Sequence, residues 1–321
     1  MKAALCFIIS YEHILNKEYL WRQWVDANKD IINVYFHCKD FNKIKSPWIK
    51  SHCIPQNLVA NTSYFHVVPA YFMTMIYALK KDPENEWFCF LTDSCVPIIP
   101  PEKFRALFFE NYDKTIMGWK PAYWNIDFHK RANLNRLPSK FHLANAPWFV
   151  LKKKDVERCI AYIKYNKETY DLICSGGLAN ESIFAIILKS FNELDSVVNA
   201  TSTITDWSRM TSPTSPHCFL EGNKDDILFI GKSLQDEKYA MFLRKVHPRF
   251  PEKLLLDLIN APEKFEEYIA SAPATSNNVA NVNANTIIRR NQQKKILFLD
   301  SAIMMSSILV FFLAGIIFFM L

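Results

Sequence analysis

Glu181 opens the stretch ESIFAIILKSF, whose apolar spacing predicts a mostly buried helix with Asn180 as its N-cap. A carboxylate in the first turn of a helix is favoured in its ionised form by the helix dipole, and that is the form a general base requires. The same position commonly holds a glutamate that only complements the dipole at the surface. Arg244 and Lys245 are neighbours in FLRKV, either a cation pair for an anionic group or a solvated basic pair. If FLRKV is a strand, only one of the two faces any given side. Asp93, in TDS before a Pro-rich turn, is a hydrogen-bond acceptor for a bound ligand or an ordinary turn residue. Trp148, Trp207 and Arg209 are candidates for the wall of a site, each with packing as its alternative. The eight histidines do not cluster, with His37 at a strand end and His217 beside Cys218, and the chain contains no D-x-D pair. No metal site is therefore expected.

These residues need elements to hold them. AALCFIIS and INVYFH read as buried strands, and LNKEYLWRQWVDANK between them reads as a crossover helix with Leu20, Trp21 and Trp24 on one face. That is a βαβ unit. A further helix is expected from Val67 to Lys80. EWFCFLTD then reads as a strand that ends where Pro97, Pro100 and Pro101 stop any helix. It projects Thr92, Asp93 and Ser94 from the carboxyl edge of the sheet, where ligands of α/β folds tend to bind. TIMGW and PWFVL are later strands, and KKKDVERCIAYIKYN a surface helix. The expected fold is one α/β domain over residues 1–270, a mainly parallel sheet flanked by helices.

Composition agrees with a large packed core: of 321 residues 50% are hydrophobic and 14% aromatic, with only six glycines. The formal charge of +6 is mild, its basic residues are dispersed, and no nucleic-acid-reading motif accompanies them. Nucleic acid is therefore not an expected partner. The eight cysteines show no CxxC spacing and several sit in apolar runs, so they read as mostly buried thiols in a reducing compartment.

Residues 271–295 are rich in Asn, Ala and Ser without periodicity and read as a flexible linker, on the order of 25–30 Å in reach. Within the segment 296–321, residues 302–321 form a charge-free run of about 20 residues, the length of a membrane-spanning helix. Arg289, Arg290, Lys294 and Lys295 precede this run and no residue follows it, so the positive-inside rule predicts a tail anchor in the lipid bilayer with the head in the cytosol. Asn61, Asn180 and Asn199 begin N-x-Ser/Thr triplets that a cytosolic head would leave unmodified.

Several strings in order resemble the core-2/I-branching glycosyltransferase family and its plant and viral relatives. LCFIIS…YLWRQWVDANKDIINVYFHCK resembles the family's opening strand, helix and strand, and EWFCFLTDSCVPIIPPEKF its "LLSESCIPL" pattern. PWFVLKKKDVERCI resembles "QWF-x-L-x-R", SGGLANESIFAIIL stands where relatives have Pro-Asp-Glu or Asp-Glu-His, and TSTITDWSRMTSPTSPHCF is close to the plant-type "LTYVDWSR…HPATF". FLRKVHPRF follows where relatives have "FARKF" or "FANKF". The likeness covers roughly residues 3–250. It implies a GT-A-like fold, a UDP-sugar donor, and inverting transfer to a glycan hydroxyl without metal or other cofactor. Glu181 matches the family's base, with Asn180 in place of its usual Asp, and Lys245, beside Arg244, matches the cation that neutralises the diphosphate. Asp93 would then bind donor sugar or ribose. A catalytically silent relative that binds glycan or nucleotide is the alternative. Familiar members are luminal and anchored at the N-terminus, so a cytosolic, tail-anchored form would suit a large DNA virus with its own glycan machinery.

Overall fold

The computed structural model describes residues 1–212 and 214–261. The linker 271–295, the apolar run 302–321 and the domain boundary at 270 lie outside the described residues. Among the described residues no helix is long and apolar enough to cross a membrane.

The central sheet has the order β2-β1-β3-β7, from β1 (Lys2–Ile8), β2 (Ile32–His37), β3 (Asn85–Thr92) and β7 (Val150–Lys152). β1 pairs in parallel with β2 and β3, while β7 runs antiparallel to β3. The expected βαβ unit is present, its crossover helix spanning Glu18–Asp26. A second sheet, β4-β9-β8, joins β4 (Val96–Pro97), β8 (Thr203–Thr205) and β9 (Phe242–Arg244); β5 (Trp119–Pro121) and β6 (Leu143–Asn145) form a ribbon. The string TIMGW is no continuous strand: Ile116 makes isolated bridges to Val150 and Val198, and β5 begins only at Trp119.

The pleat sorts the core into two layers. Ala3, Leu5 and Phe7 of β1 and Trp87, Cys89 and Leu91 of β3 face one side with Trp21, Trp24 and Phe104. Ala4, Cys6, Phe88 and Phe90 face the other, against the helices Val68–Lys81, Lys153–Tyr165 and Ile183–Ser190. Successive strand residues point to opposite faces, so a sheet covered on both sides shows continuous apolar runs rather than alternation. The indole N–H groups of Trp21 and Trp24 donate to the carbonyls of Cys95 (2.9 Å) and Ile99 (2.8 Å), which satisfies their only polar atoms inside the core. Five of the eight cysteines are buried, three are half-buried, and all are free thiols.

Candidate active site

Glu181 does not sit in the first turn of a helix. It ends a short 3-10 turn, Ala179–Glu181, and the α-helix begins at Ile183 after Ser182. Asn180 is accordingly not an N-cap: it is buried, and its Oδ1 has no hydrogen-bond partner. The turn is fixed instead by Asn145 at the end of β6, whose Nδ2 donates to the Asn180 carbonyl (2.9 Å) while its Oδ1 accepts from the Ala185 N–H (3.2 Å). One buried amide thus caps an orphan donor of the helix and holds the chain that precedes it. Gly176 makes the approach to this turn possible, because a Cβ there would lie 2.5 Å from the Asn133 nitrogen.

The dipole reading of Glu181 gives way to a pairing. Arg131 Nη1 donates to Glu181 Oε2 at 3.2 Å, and the Arg131 guanidinium lies over the Trp124 ring at 5.1 Å. Burial pushes the Glu181 carboxyl above its ordinary value, and the charges of Arg131 and Arg244 pull it back without cancelling the rise. The carboxylate is half-buried, so a polar ligand has access to it.

Arg244 reaches this neighbourhood from β9. Its guanidinium lies 4.9 Å from the Trp148 ring, and Trp148 stacks on Tyr71, which stacks on Phe90 of β3. A column of rings therefore runs from the core to the cation, and the cation-π contact holds it there. The Arg244 Nε is buried without a partner. Lys245, the residue selected by the resemblance, ends no such column; its charge and that of Arg244 both act on Cys218, and only Arg244 acts on Glu181.

The remaining candidates divide. Asp93 sits at the carboxyl edge of β3, where its carboxylate accepts from the Ser10 N–H (3.1 Å) and from the Thr92 hydroxyl (2.8 Å). It bridges the ends of β1 and β3, a position open to a ligand and also a structural tie. Trp207 is 53% exposed. Arg209 is tied into a network: its Nε donates to Asp206 (2.6 Å) and its Nη1 to Asp226 (2.9 Å), beside His217 Nε2 on the same Asp226 oxygen. Burial pushes the Asp206 carboxyl up, but hydrogen bonds from Ser208 and Arg209 outweigh it and hold it below its ordinary range. For Arg209 the packing alternative is the one the geometry displays.

His37 is buried and its Nε2 accepts from the Ala60 N–H at 3.0 Å, which requires a neutral ring. Among the described residues no group of three His, Cys, Asp or Glu side chains is gathered to hold a metal ion. Sequence reasoning missed Arg131, Asn145 and Tyr71. An Arg fifty positions from its partner carries no local mark, although Asn145, a polar residue set between apolar strings, was a signal.

No curated protein matches the chain. A family model, the core-2/I-branching enzyme, matches residues 5–224, a span that includes Asp93, Arg131, Trp148, Glu181, Trp207 and Arg209 and stops short of Arg244 and Lys245. With the match covering more than half of the sequence, the chain belongs to the core-2/I-branching enzyme family, whose activity is glycosyl transfer.

Proposed function

We propose that the protein is an inverting, metal-independent glycosyltransferase that moves a sugar from a UDP-sugar to a hydroxyl of a glycan, with Glu181 as general base. The observation that carries this reading is the half-buried Glu181 carboxylate, raised in pKa by burial and kept ionisable by Arg131 and Arg244. A base whose pKa is raised toward the working pH is stronger and still available in its charged form. The acceptor hydroxyl gives its proton to Glu181 as its oxygen bonds to the anomeric carbon. The bond from that carbon to the diphosphate oxygen breaks, and UDP leaves with the electron pair.

The charge that develops on the diphosphate needs a fixed counter-charge. The absence of a D-x-D pair and the adjacent Arg244 and Lys245 support basic side chains in that role. Arg244 is the better supported of the two, since its guanidinium rests on the Trp148 ring and its charge acts on Glu181. Lys245 is assigned to the phosphates on the resemblance alone. Asp93, anchored by Ser10 and Thr92, would accept a hydroxyl of the donor, and Trp207 would offer an exposed ring to a sugar.

UDP release from a panel of UDP-sugars, wild type against Glu181→Gln, tests the reading. Turnover should fall by about 100-fold or more while UDP binding persists, because only the proton acceptor is lost. Near-normal turnover in the variant removes Glu181 as base, and UDP binding without any turnover in the wild type marks a silent relative.

We also infer that residues 302–321 span a bilayer and leave the head in the cytosol, on the strength of the charge-free run and the basic residues on its head side. Two of the three sequons are compatible with an unglycosylated head, while Asn61 is exposed. Asn180 is buried, and the Asn199 amide is engaged with the Trp119 backbone at 2.8 and 3.0 Å. Digestion of the head by protease added outside intact microsomes checks the orientation; a protected head reverses it.

A further inference from the structure

Tyr64 and Phe65 are 71% and 53% exposed, with their rings edge to face at 5.0 Å. They are the two central residues of a tight turn closed by Ser63 and His66, whose backbones pair at 2.9 and 3.4 Å. Small polar residues usually occupy such positions, because they satisfy the turn and meet water at no cost. Two adjacent aromatic rings held out in solvent form a small apolar platform at the tip of the turn.

The turn is fastened to the candidate active site. The Phe65 carbonyl accepts from the Leu178 N–H (2.9 Å), and the Leu178 carbonyl accepts from the Glu181 N–H (3.0 Å). Phe65 is therefore two hydrogen bonds from the base along the backbone. His66 adds a contact to the Cys174 carbonyl at 3.4 Å, and Lys39 Nζ donates to the Thr62 carbonyl at 2.8 Å. The backbone that carries the rings is thus hydrogen-bonded to the segment that carries Glu181.

We propose that Tyr64 and Phe65 form an acceptor subsite that stacks a pyranose ring of the glycan chain, beyond the sugar whose hydroxyl reacts. The inference rests on the glycosyltransferase reading and names the class of acceptor as an oligosaccharide chain. The apolar C–H face of a pyranose packs on an aromatic face, and the polar residues around the turn, Asn61, Ser63 and His66, are exposed to meet its hydroxyls. A membrane or protein partner would favour a broader apolar patch than two rings set among polar side chains.

The test uses the full-length Glu181→Gln protein, expected under the proposed function to bind without turnover, on an array of defined mono- to hexasaccharides. Tyr64→Ala and Phe65→Ala should each weaken capture of trisaccharides and longer chains about tenfold, while Tyr64→Phe and Phe65→Tyr restore it. Equal capture by the wild-type turn and the double alanine variant overturns the subsite, as does failure to capture any glycan. Loss of binding to phosphatidylcholine vesicles in place of glycans reassigns the rings to a lipid surface and overturns it as well. UDP binding is measured in parallel: ring-dependent glycan capture without UDP binding refutes the donor half of the proposed function and leaves the subsite standing. UDP binding without ring-dependent capture does the reverse.

Discussion

Arg131 Nη1 lies 3.2 Å from Glu181 Oε2, and this ion pair joins a segment between the β5–β6 ribbon strands to the turn that carries the candidate base. Both side chains are about a quarter exposed, so the pair is neither sealed in the core nor loosened by bulk solvent. Its role under the proposed chemistry is to hold the carboxylate in its ionised form against the burial that would protonate it.

Removal of Arg131 should therefore move the pH dependence of turnover. The Glu181 carboxyl is already raised, and loss of a neighbouring cation raises it further, so the acid limb of the rate profile in Arg131→Ala should shift to higher pH. Arg131→Lys should restore part of the shift. An unchanged acid limb in the alanine variant would show that the pair is only structural.

Arg244 and Lys245 should separate by the same measurement. Arg244→Met should weaken UDP binding and also raise the acid limb, because the Arg244 charge acts on Glu181. Lys245→Met should weaken UDP binding and leave the limb in place. UDP affinity by calorimetry and the two pH profiles decide between one cation and two.

The Arg209 network should matter for stability. Asp206 and Asp226 are almost wholly buried, and Arg209→Ala leaves both short of a counter-charge, a loss of about 3–5 kcal/mol for a broken buried pair. Thermal unfolding should show a marked fall in Tm. A variant with wild-type Tm and a raised donor KM would instead make Arg209 part of the wall.

His37 predicts an acid-sensitive fold. Burial lowers its pKa to about 4, below the ordinary 6.5, so the unfolded chain takes up the proton first. Stability is full above pH 6.5 and is lost as pH falls through the interval down to about 4, by about 3 kcal/mol for this one group. Urea unfolding at a series of pH values should show the slope in the wild type and a flatter one in His37→Gln, whose amide can still accept from the Ala60 N–H.

Gly176→Ala should lower stability by about 1–3 kcal/mol and disturb the turn before Glu181. The added Cβ meets the backbone of Ala132 and Asn133 at 2.5 to 2.8 Å, and backbone cannot swing aside as a side-chain tip would. An alanine variant with wild-type Tm and turnover would show that the segment moves more freely than its packing suggests.

The elements themselves were legible in the sequence. β1, β2 and β3, the crossover helix and the helices Val68–Lys81 and Lys153–Tyr165 appear within a few residues of where their apolar runs place them. The family strings were legible in the same way, as short patterns in a fixed order, and the match over residues 5–224 agrees with them. Pleat and helical pitch act over a few residues, so a short window carries them. The start of the helix after Glu181 was misread because Asn180 and Glu181 are ordinary capping types, whereas the chain first makes a 3-10 turn that the long-range Asn145 contact holds in place. Which cation faces Glu181 was equally closed to local reading. Arg131 lies fifty positions before it and Arg244 sixty-three after it, and on paper each looks like a solvated arginine. Their meeting depends on the paths of the β5–β6 ribbon and of β9 through the fold, and on the ring column from Phe90 to Trp148, all of which are set by packing across the whole molecule rather than by any neighbour in sequence.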